Sequence, residues 1–388
     1  MKYTLCVTQR CNLACTYCYV GKREEVMPLD IARHIVDFAF ERTPPHEKIE
    51  IGFFGGEPLL AFERIRDITE LIEAHADFAE RDVEMTVVSN GTTFSDEIAD
   101  YLLAHAIGFG VSCDGPPAVQ DHFRRYADGG RSSPDVENTL LHVIERIPYP
   151  MVNAVYHPET FLELPRVVRY FSELGLRRIY LNPDFSATWT QTEAEVLPSL
   201  YSDIRKYYSY TFLKGDPHFI SFLDGKISVV LRGGYGPLER CRMGRGEYAF
   251  SVEGNIYPCE RLLGDGKGGG HCIGNIETGL VPSRIGEHCN TSADDGEPCR
   301  SCGLREYCMN WCGCSNYMSG GSYDAPGAFL CASERAAIET AMSTIEALTA
   351  CGHGSELFAH VFRDQVIEEH EQLQKGGDVL AAKSNAAM

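Results

Sequence analysis

No apolar run in this 388-residue sequence approaches the roughly 18 residues that a membrane helix needs, so a spanning helix is not expected. The N-terminus, MKYTLCVTQRC, has neither an apolar h-region nor a small-residue cleavage site, and no export signal is read there. Basic residues are scarce. Thirty-five Lys and Arg stand against 55 Asp and Glu, a net charge of −20, which argues against a nucleic-acid or anionic-membrane partner, since either needs clustered cations. Cysteine is sparse through most of the chain: between Cys18 and Cys241 there is only Cys113. Neither an internal repeat nor a long linker is found. With no export signal the expected location is cytoplasmic, where thiols stay reduced and serve metals or catalysis rather than disulfides.

What is present is cysteine at the two ends. Cys6, Cys11, Cys15 and Cys18 open the chain, and eleven of the 16 cysteines lie from Cys241 to Cys351. The composition is otherwise that of a globular protein, 44% hydrophobic and 23% charged.

The cysteine-poor middle alternates strand-like and helix-like patterns. Strands are expected at 3–7, 49–54, 83–89, 108–112, 151–156 and 177–182, by short β-branched or aromatic runs. Helices are expected at Leu29–Arg42 after Pro28, Ala61–Glu80, Ser95–His105 with Ser95 as N-cap, Pro134–Arg146 and Phe161–Leu174. Such alternation builds a parallel sheet with right-handed crossovers. About 180 residues are too few for a full eight-unit barrel of ~250, so a partial (β/α)6 barrel of TIM type is expected, with chemistry at the strand C-termini.

Those strand ends carry TQRCNLACTYC, GGEP (55–58), SNGT (89–92) and SCDGP (112–116). Each of the last three is also ordinary turn material. Cys11, Cys15 and Cys18 shift the balance, because three thiolates on one irregular loop can hold three corners of a [4Fe–4S] cluster that normally takes four, leaving one iron open. A structural zinc site would want a fourth local ligand, and none follows.

With Tyr17 as the aromatic of a Cys-x3-Cys-x-aromatic-Cys loop, the first ~180 residues resemble the radical S-adenosylmethionine (SAM) superfamily. The resemblance implies that SAM chelates the open iron and is cleaved to methionine and a 5′-deoxyadenosyl radical. It implies that Gly55, Gly56 and Glu57 receive the methionine ammonium through backbone and side chain, and that Asn90 and Ser112 meet the methionyl or ribose part. A basic residue should neutralise the SAM carboxylate, with Arg124 and Arg131 both available.

The C-terminal cysteines carry a second resemblance. Cys241, Gly254-NIYP-Cys259, Cys299-x2-Cys302-x5-Cys308-x3-Cys312 and Cys331 are similar to the seven-cysteine pattern of the SPASM domain. It implies two auxiliary [4Fe–4S] clusters, three in all: one on Cys299, Cys302, Cys308 and Cys331, the other on Cys241, Cys259 and Cys312. The fourth ligand of the latter stays open among Cys272, Cys289, Cys314, a non-cysteine group and a substrate thiol. Zinc knuckles are the competing reading of the CRSC and CMNWC spacings.

The domain boundaries expected are 1–190 for the radical SAM barrel, 191–239 for a helical connection, 240–335 for the SPASM domain, and 336–388 for C-terminal helices and a mobile tail. The resemblance implies a maturase that modifies a ribosomal peptide or a protein, forming a thioether or carbon–carbon crosslink, with an electron donor such as flavodoxin or ferredoxin. An anaerobic sulfatase maturase forming formylglycine is the second reading. There an aspartate base follows the YPC cysteine, whereas here Glu260 stands in that position. A non-catalytic iron–sulfur electron-transfer or scaffold protein is a third. Strand one begins at residue 3, so a leader-binding domain is not expected ahead of it, and leader recognition falls to a separate protein or to the catalytic domain. Cys6 and Cys113 read as packed hydrophobes, Cys351 is unassigned, 264–271 reads as a flexible hairpin tip with a solvated His271, and the tyrosines of 201–212 read as interdomain packing.

Overall fold

The structure, a computed structural model, describes residues 1–236, 239, 241–289, 299–309 and 312–362. Six parallel strands come first: β1 Lys2–Thr8, β2 Ile49–Gly55, β3 Val83–Ser89, β4 Ile107–Ser112, β5 Met151–Tyr156 and β6 Arg178–Pro183, each hydrogen-bonded to the next. Between them run α1 Leu29–Arg42, α2 Phe62–Glu73, α3 Asp96–Ala104, α4 Pro117–Phe123, α5 Ser133–Arg146 and α6 Leu164–Leu174. The sixfold strand–helix alternation read from the sequence is therefore present. It takes the form of a partial barrel, because parallel neighbours joined by helical crossovers must curl with their helices outside.

Local chemistry sets the boundaries. Pro28, extended at φ −60 and ψ 147, stands just before α1. The Ser95 hydroxyl accepts the Ile98 amide at 3.3 Å and starts α3. Gly175 ends α6 at φ +108, letting the Leu176 amide reach back to the Phe171 carbonyl at 2.9 Å and turning the chain into β6. The helix expected to run unbroken over 61–80 stops at Glu73; a separate helical turn follows at Phe78–Glu80.

Beyond the barrel lie α7 Gln191–Leu213, a two-residue strand β7 Phe219–Ile220 beside β6, and α8 Ser221–Leu231. The chain then returns. Strand β8 Glu247–Phe250 pairs parallel with β1 from Lys2↔Glu247 to Leu5↔Phe250, and β9 Asn255–Tyr257, β10 Gly274–Asn275 and β11 Gly279–Leu280 continue antiparallel. The cysteine-rich segment thus extends the barrel sheet, which reads β11-β10-β9-β8-β1-β2-β3-β4-β5-β6-β7 among the described residues.

Helices α9 Pro282–Cys289, α10 Gly313–Gly320, α11 Ala328–Ala350 and α12 Gly354–Val361 complete the fold. Helix α11 packs on α7 and α8; Trp189 stacks on Phe329 with centroids 3.8 Å apart, and the Tyr201 hydroxyl meets Tyr156 at 3.2 Å and Ser333 at 3.0 Å. Tyr201 and Tyr208 of α7 are thus buried between elements, while Tyr210 is exposed. Cys6 and Cys113 are buried in the main core, as read. No helix among the described residues is long and apolar enough to cross a membrane. The tail at 363–388 lies outside the described residues.

Candidate functional site

The loop leaving β1 carries Cys11 and Cys15, both half-buried, and Cys18, exposed; none is in a disulfide. The end of β2 holds this loop by its backbone. The Gly56 amide donates to the Thr8 carbonyl at 2.9 Å and the Glu57 amide to the Arg10 carbonyl at 2.7 Å. Gly55 sits at φ +143, and a Cβ on Gly56 would lie 2.7 Å from the Arg10 carbonyl carbon, so only glycine permits this approach. Further along, the Ala14 amide donates to the Arg125 carbonyl at 2.7 Å and Lys22 Nζ to the Leu13 carbonyl at 2.5 Å. Burial pushes the Cys11 and Cys15 thiols up, opposed by Lys22 beside the first and Arg124 beside the second.

Glu57 corrects one expectation. Its carboxylate is fully buried and accepts from the Leu59 amide at 3.0 Å, the Ser89 hydroxyl at 2.8 Å and the Asn90 amide at 2.6 Å. The side chain locks the end of β2 to the end of β3, so what this motif has left to offer a ligand is backbone. Asn90 is committed as well: its Nδ2 donates to Asn12 Oδ1 at 2.9 Å and lies 3.8 Å from Cys11 Sγ, while its Oδ1 accepts from Thr92. Ser112, at the end of β4, has a hydroxyl that bonds to no described residue.

Tyr17 is held between two charges. Its hydroxyl donates to Asp114 Oδ2 at 2.7 Å and accepts from Arg124 Nη1 at 2.8 Å. Asp114 is buried and also accepts the Val155 amide at 3.0 Å; burial raises its carboxyl, with Arg124 opposing. Arg124 is buried beside Cys15, and its Nε has no protein partner. Arg131 lies elsewhere: it is 65% exposed and pairs with Asp121 at 2.9 Å. Of the two arginines the sequence left open, Arg124 is the one brought to the thiol loop. Asp114 was missed as a site residue, although its place in the strand-end SCDGP stretch could have signalled it.

A second group of thiols gathers around the start of α10. Cys259 and Cys314 are buried together, Cys241 and Cys312 pack against them, and Cys312 Sγ lies 3.5 Å from Cys314 Sγ. Cys272 is not among them; it packs in the main core with its thiol on the Gly274 carbonyl at 3.0 Å. Cys299, Cys302 and Cys308 lie on the turns before α10, and Cys331 is on α11. One turn beyond Cys331, Glu334 accepts the Met309 amide at 2.9 Å and pairs with the buried Lys226 of α8 at 2.5 Å, which fastens the 299–309 turns to both helices. The Cys289 side chain lies outside what is described. No three Cys, His, Asp or Glu side chains among the described residues surround a single ion-sized centre.

Residues 5–171 match the Radical SAM superfamily. The chain carries a radical SAM domain. A cysteine-type anaerobic sulfatase-maturating enzyme of Clostridium novyi is 22% identical over 329 residues, covering 79% of this chain and 85% of that one. The fold is shared with the solved structure of native anSMEcpe with bound AdoMet and Cp18Cys peptide, at TM-score 0.75 and 19% identity over 90% of this chain and 98% of that one. Streptococcus suis SuiB bound to its precursor peptide SuiA shares it at TM-score 0.59 and 15% identity, over 85% and 75%.

A radical SAM fold implies SAM and a [4Fe–4S] cluster. The residues fit both. Three free thiols share one loop, the Ser112 hydroxyl and Arg124 Nε are unspent, and the loop is pinned by β2 rather than by its own side chains.

The second segment of the enzyme also reaches the barrel strands. Glu260, next to Cys259, accepts from Lys2 Nζ at 3.1 Å and Thr4 Oγ1 at 3.0 Å, both on β1. Burial alone would raise the Glu260 carboxyl, but Lys2 and Arg261 more than cancel it and hold the group below the usual carboxylate range. Lys2 supplies the ion pair to Glu260, and the Arg261 guanidinium lies 4.7 Å from the Phe185 ring centroid. Lys2 and Thr4 carried no signal in the sequence. His271, read as solvated, is half-buried with Nδ1 2.6 Å from the Tyr323 hydroxyl, because the 264–271 turn folds back on α10 and the chain after it.

Proposed function

We propose that this radical SAM enzyme is a maturase that modifies the side chain or backbone of a peptide or protein, withdrawing hydrogen to form a thioether or carbon–carbon crosslink. The observation that carries the reading is the joining of the two cysteine-bearing segments: β8 pairs with β1, and Glu260, beside a cysteine of the second group, hydrogen-bonds with Lys2 and Thr4 of the strand that launches the first. The peptides bound in the anSMEcpe and SuiB structures support a peptide substrate.

In this reading Cys11, Cys15 and Cys18 hold a [4Fe–4S] cluster, which with SAM bound supplies the electron that yields the 5′-deoxyadenosyl radical. Gly55 and Gly56 present backbone to the methionine end, Ser112 donates its hydroxyl, and Arg124 supplies the positive charge. Tyr17 is fixed between Asp114 and Arg124 and keeps that arginine oriented. Cys299, Cys302, Cys308 and Cys331 hold one auxiliary cluster and Cys241, Cys259 and Cys312 belong to the other, three clusters in all. Glu260 takes the proton that leaves the substrate as it is oxidised, while Lys2 and Thr4 fix its position. A low-potential protein donor of flavodoxin or ferredoxin type reduces the enzyme.

Formation of formylglycine in a sulfatase is the second reading, favoured by the extent of the match to the Clostridium novyi maturase and weakened by Glu260 standing where an aspartate base is expected. One experiment separates the readings. Reduced, anaerobically reconstituted protein is given SAM with either a short peptide encoded beside it or a sulfatase-derived peptide, and 5′-deoxyadenosine and peptide mass are followed together. The crosslinking reading expects loss of two hydrogens from the neighbouring peptide with no change in the sulfatase peptide. Modification of the sulfatase peptide alone selects the second reading, and absence of 5′-deoxyadenosine under every condition overturns both.

A further inference from the structure

Four cysteines from three separate stretches pack into one cluster. Cys241 follows α8, Cys259 follows β9, and Cys312 and Cys314 open α10. Cys259 and Cys314 are buried in it, Cys241 and Cys312 pack against them, and the Cys312 and Cys314 sulfurs lie 3.5 Å apart. We infer that Cys314 is the fourth protein ligand of the cluster held by Cys241, Cys259 and Cys312, so that this cluster has four thiolates and no open iron. The inference deepens the proposed function and rests on its reading of the C-terminal cysteines as cluster ligands.

Placement argues for it first. Cys312 is the N-cap of α10 and Cys314 lies in its first turn, so one short Cys-Gly-Cys stretch presents two sulfurs to the same side. Gly313 between them packs against the Met243 methyl, two residues from Cys241. Met243, Leu262, Tyr317 and Tyr323 wall the group, and Cys314 is 3% exposed. Thiols are weak hydrogen-bonding groups, and gathering four of them in an apolar pocket with no disulfide gives little stability unless something binds them.

The competitors are placed less well. Cys272 packs in the main core with its thiol spent on the Gly274 carbonyl. Glu247 contacts Cys259, but its carboxylate is also paired with Lys2 at 3.5 Å, and soft thiolate is the better match to iron–sulfur chemistry than a hard carboxylate. A substrate thiol would have to enter where the Cys314 sulfur already lies, 3.5 Å from that of Cys312 and packed in one cluster with Cys259. With four thiolates in place, substrate sulfur cannot bind this cluster, and any thioether the enzyme makes must close without it.

The test uses full-length protein carrying Cys11→Ala, Cys15→Ala and Cys18→Ala, so that only the C-terminal cysteines bind iron. Two clusters correspond to about eight iron per chain. In that background Cys314→Ala should lose about one iron on mild oxidation and show a [3Fe–4S] paramagnetic signal, whereas Cys272→Ala and Glu247→Gln should keep the full iron and no such signal. Cys314→Ser, with a ligating oxygen, should retain the iron with a shifted spectrum; this guards against a Cys314→Ala protein that fails to fold. A cysteine-containing peptide should perturb the cluster spectrum of Cys314→Ala but not of the background protein. The inference is overturned if the background already shows the three-iron signal, if Glu247→Gln produces it, or if both Cys314 variants match the background. Stoichiometric zinc, or no iron, in the background defeats the cluster reading itself, and the inference falls with it.

Discussion

Lys2 Nζ and Glu260 Oε2, 258 positions apart in sequence, lie 3.1 Å from one another, with Thr4 Oγ1 3.0 Å from the same oxygen. The first strand of the barrel and the residue beside a C-terminal cysteine are thereby joined through a half-buried carboxylate. Lys2 keeps its side chain 40% exposed, so the pair sits where the interior meets solvent.

That pairing makes the role of Glu260 testable by pH. Glu260→Gln keeps the shape and removes the basicity, and it should leave SAM cleavage intact while lowering the ratio of modified peptide to 5′-deoxyadenosine by about 10² or more. Lys2 holds the Glu260 carboxyl below its ordinary value, so Lys2→Met should raise it and move the acid limb of product formation to higher pH. Product ratios that stay at the wild-type level in Glu260→Gln would end the base assignment.

Replacing Cys11, Cys15 and Cys18 together by Ala should abolish 5′-deoxyadenosine formation and leave the iron of the C-terminal cysteines bound. Iron and sulfide analysis beside a chromatographic assay for 5′-deoxyadenosine checks both halves. Persistent cleavage would place the radical chemistry elsewhere.

The two arginines should separate cleanly in SAM binding. Arg124 lies buried beside Cys15 with an unpartnered Nε, whereas Arg131 is on the surface with Asp121. Hydrogen bonds to charged groups contribute about 1.5–3 kcal/mol, so Arg124→Ala should weaken SAM by roughly 10- to 100-fold, and Arg131→Ala should change it by less than about twofold. Equilibrium dialysis with labelled SAM reads both, and the opposite ranking would exclude Arg124.

A methyl group at Gly56 should be enough to displace the cysteine loop, because it would push on the Arg10 carbonyl carbon. Gly56→Ala is expected to lose about four of about twelve iron and all SAM cleavage. Gly225→Ala, where an added Cβ meets nothing within 4 Å inside α8, is the control and should keep both while raising the melting temperature slightly.

The barrel was legible because its strands and helices announce themselves by short-range pattern. Ser95 as a cap, Pro28 before a helix and the runs 83–89 and 151–156 all behave as local rules require. The thiol loop was legible because spacing on one loop survives folding. What was not legible depends on contacts between distant residues. Strand β8 is four residues long and gains its place by pairing with β1, and nothing in a four-residue pattern names that partner. Glu57 was read as a ligand from the resemblance of Gly55, Gly56 and Glu57 to the family motif, yet burial without escape to solvent obliges a carboxylate to find protein donors, and Ser89 and Asn90 supply them. The choice between Arg124 and Arg131 turned on a loop path that sequence does not show.

The pairing of β1 with β8 also orders events during synthesis. Strand β1 is made well before β8, which begins at Glu247, so one edge of β1 stays unpaired until β8 has emerged. An open parallel edge is a template for wrong partners, and long-range pairing is slow to form. A chain cut before Glu247 would therefore present its barrel with an exposed, aggregation-prone border at β1.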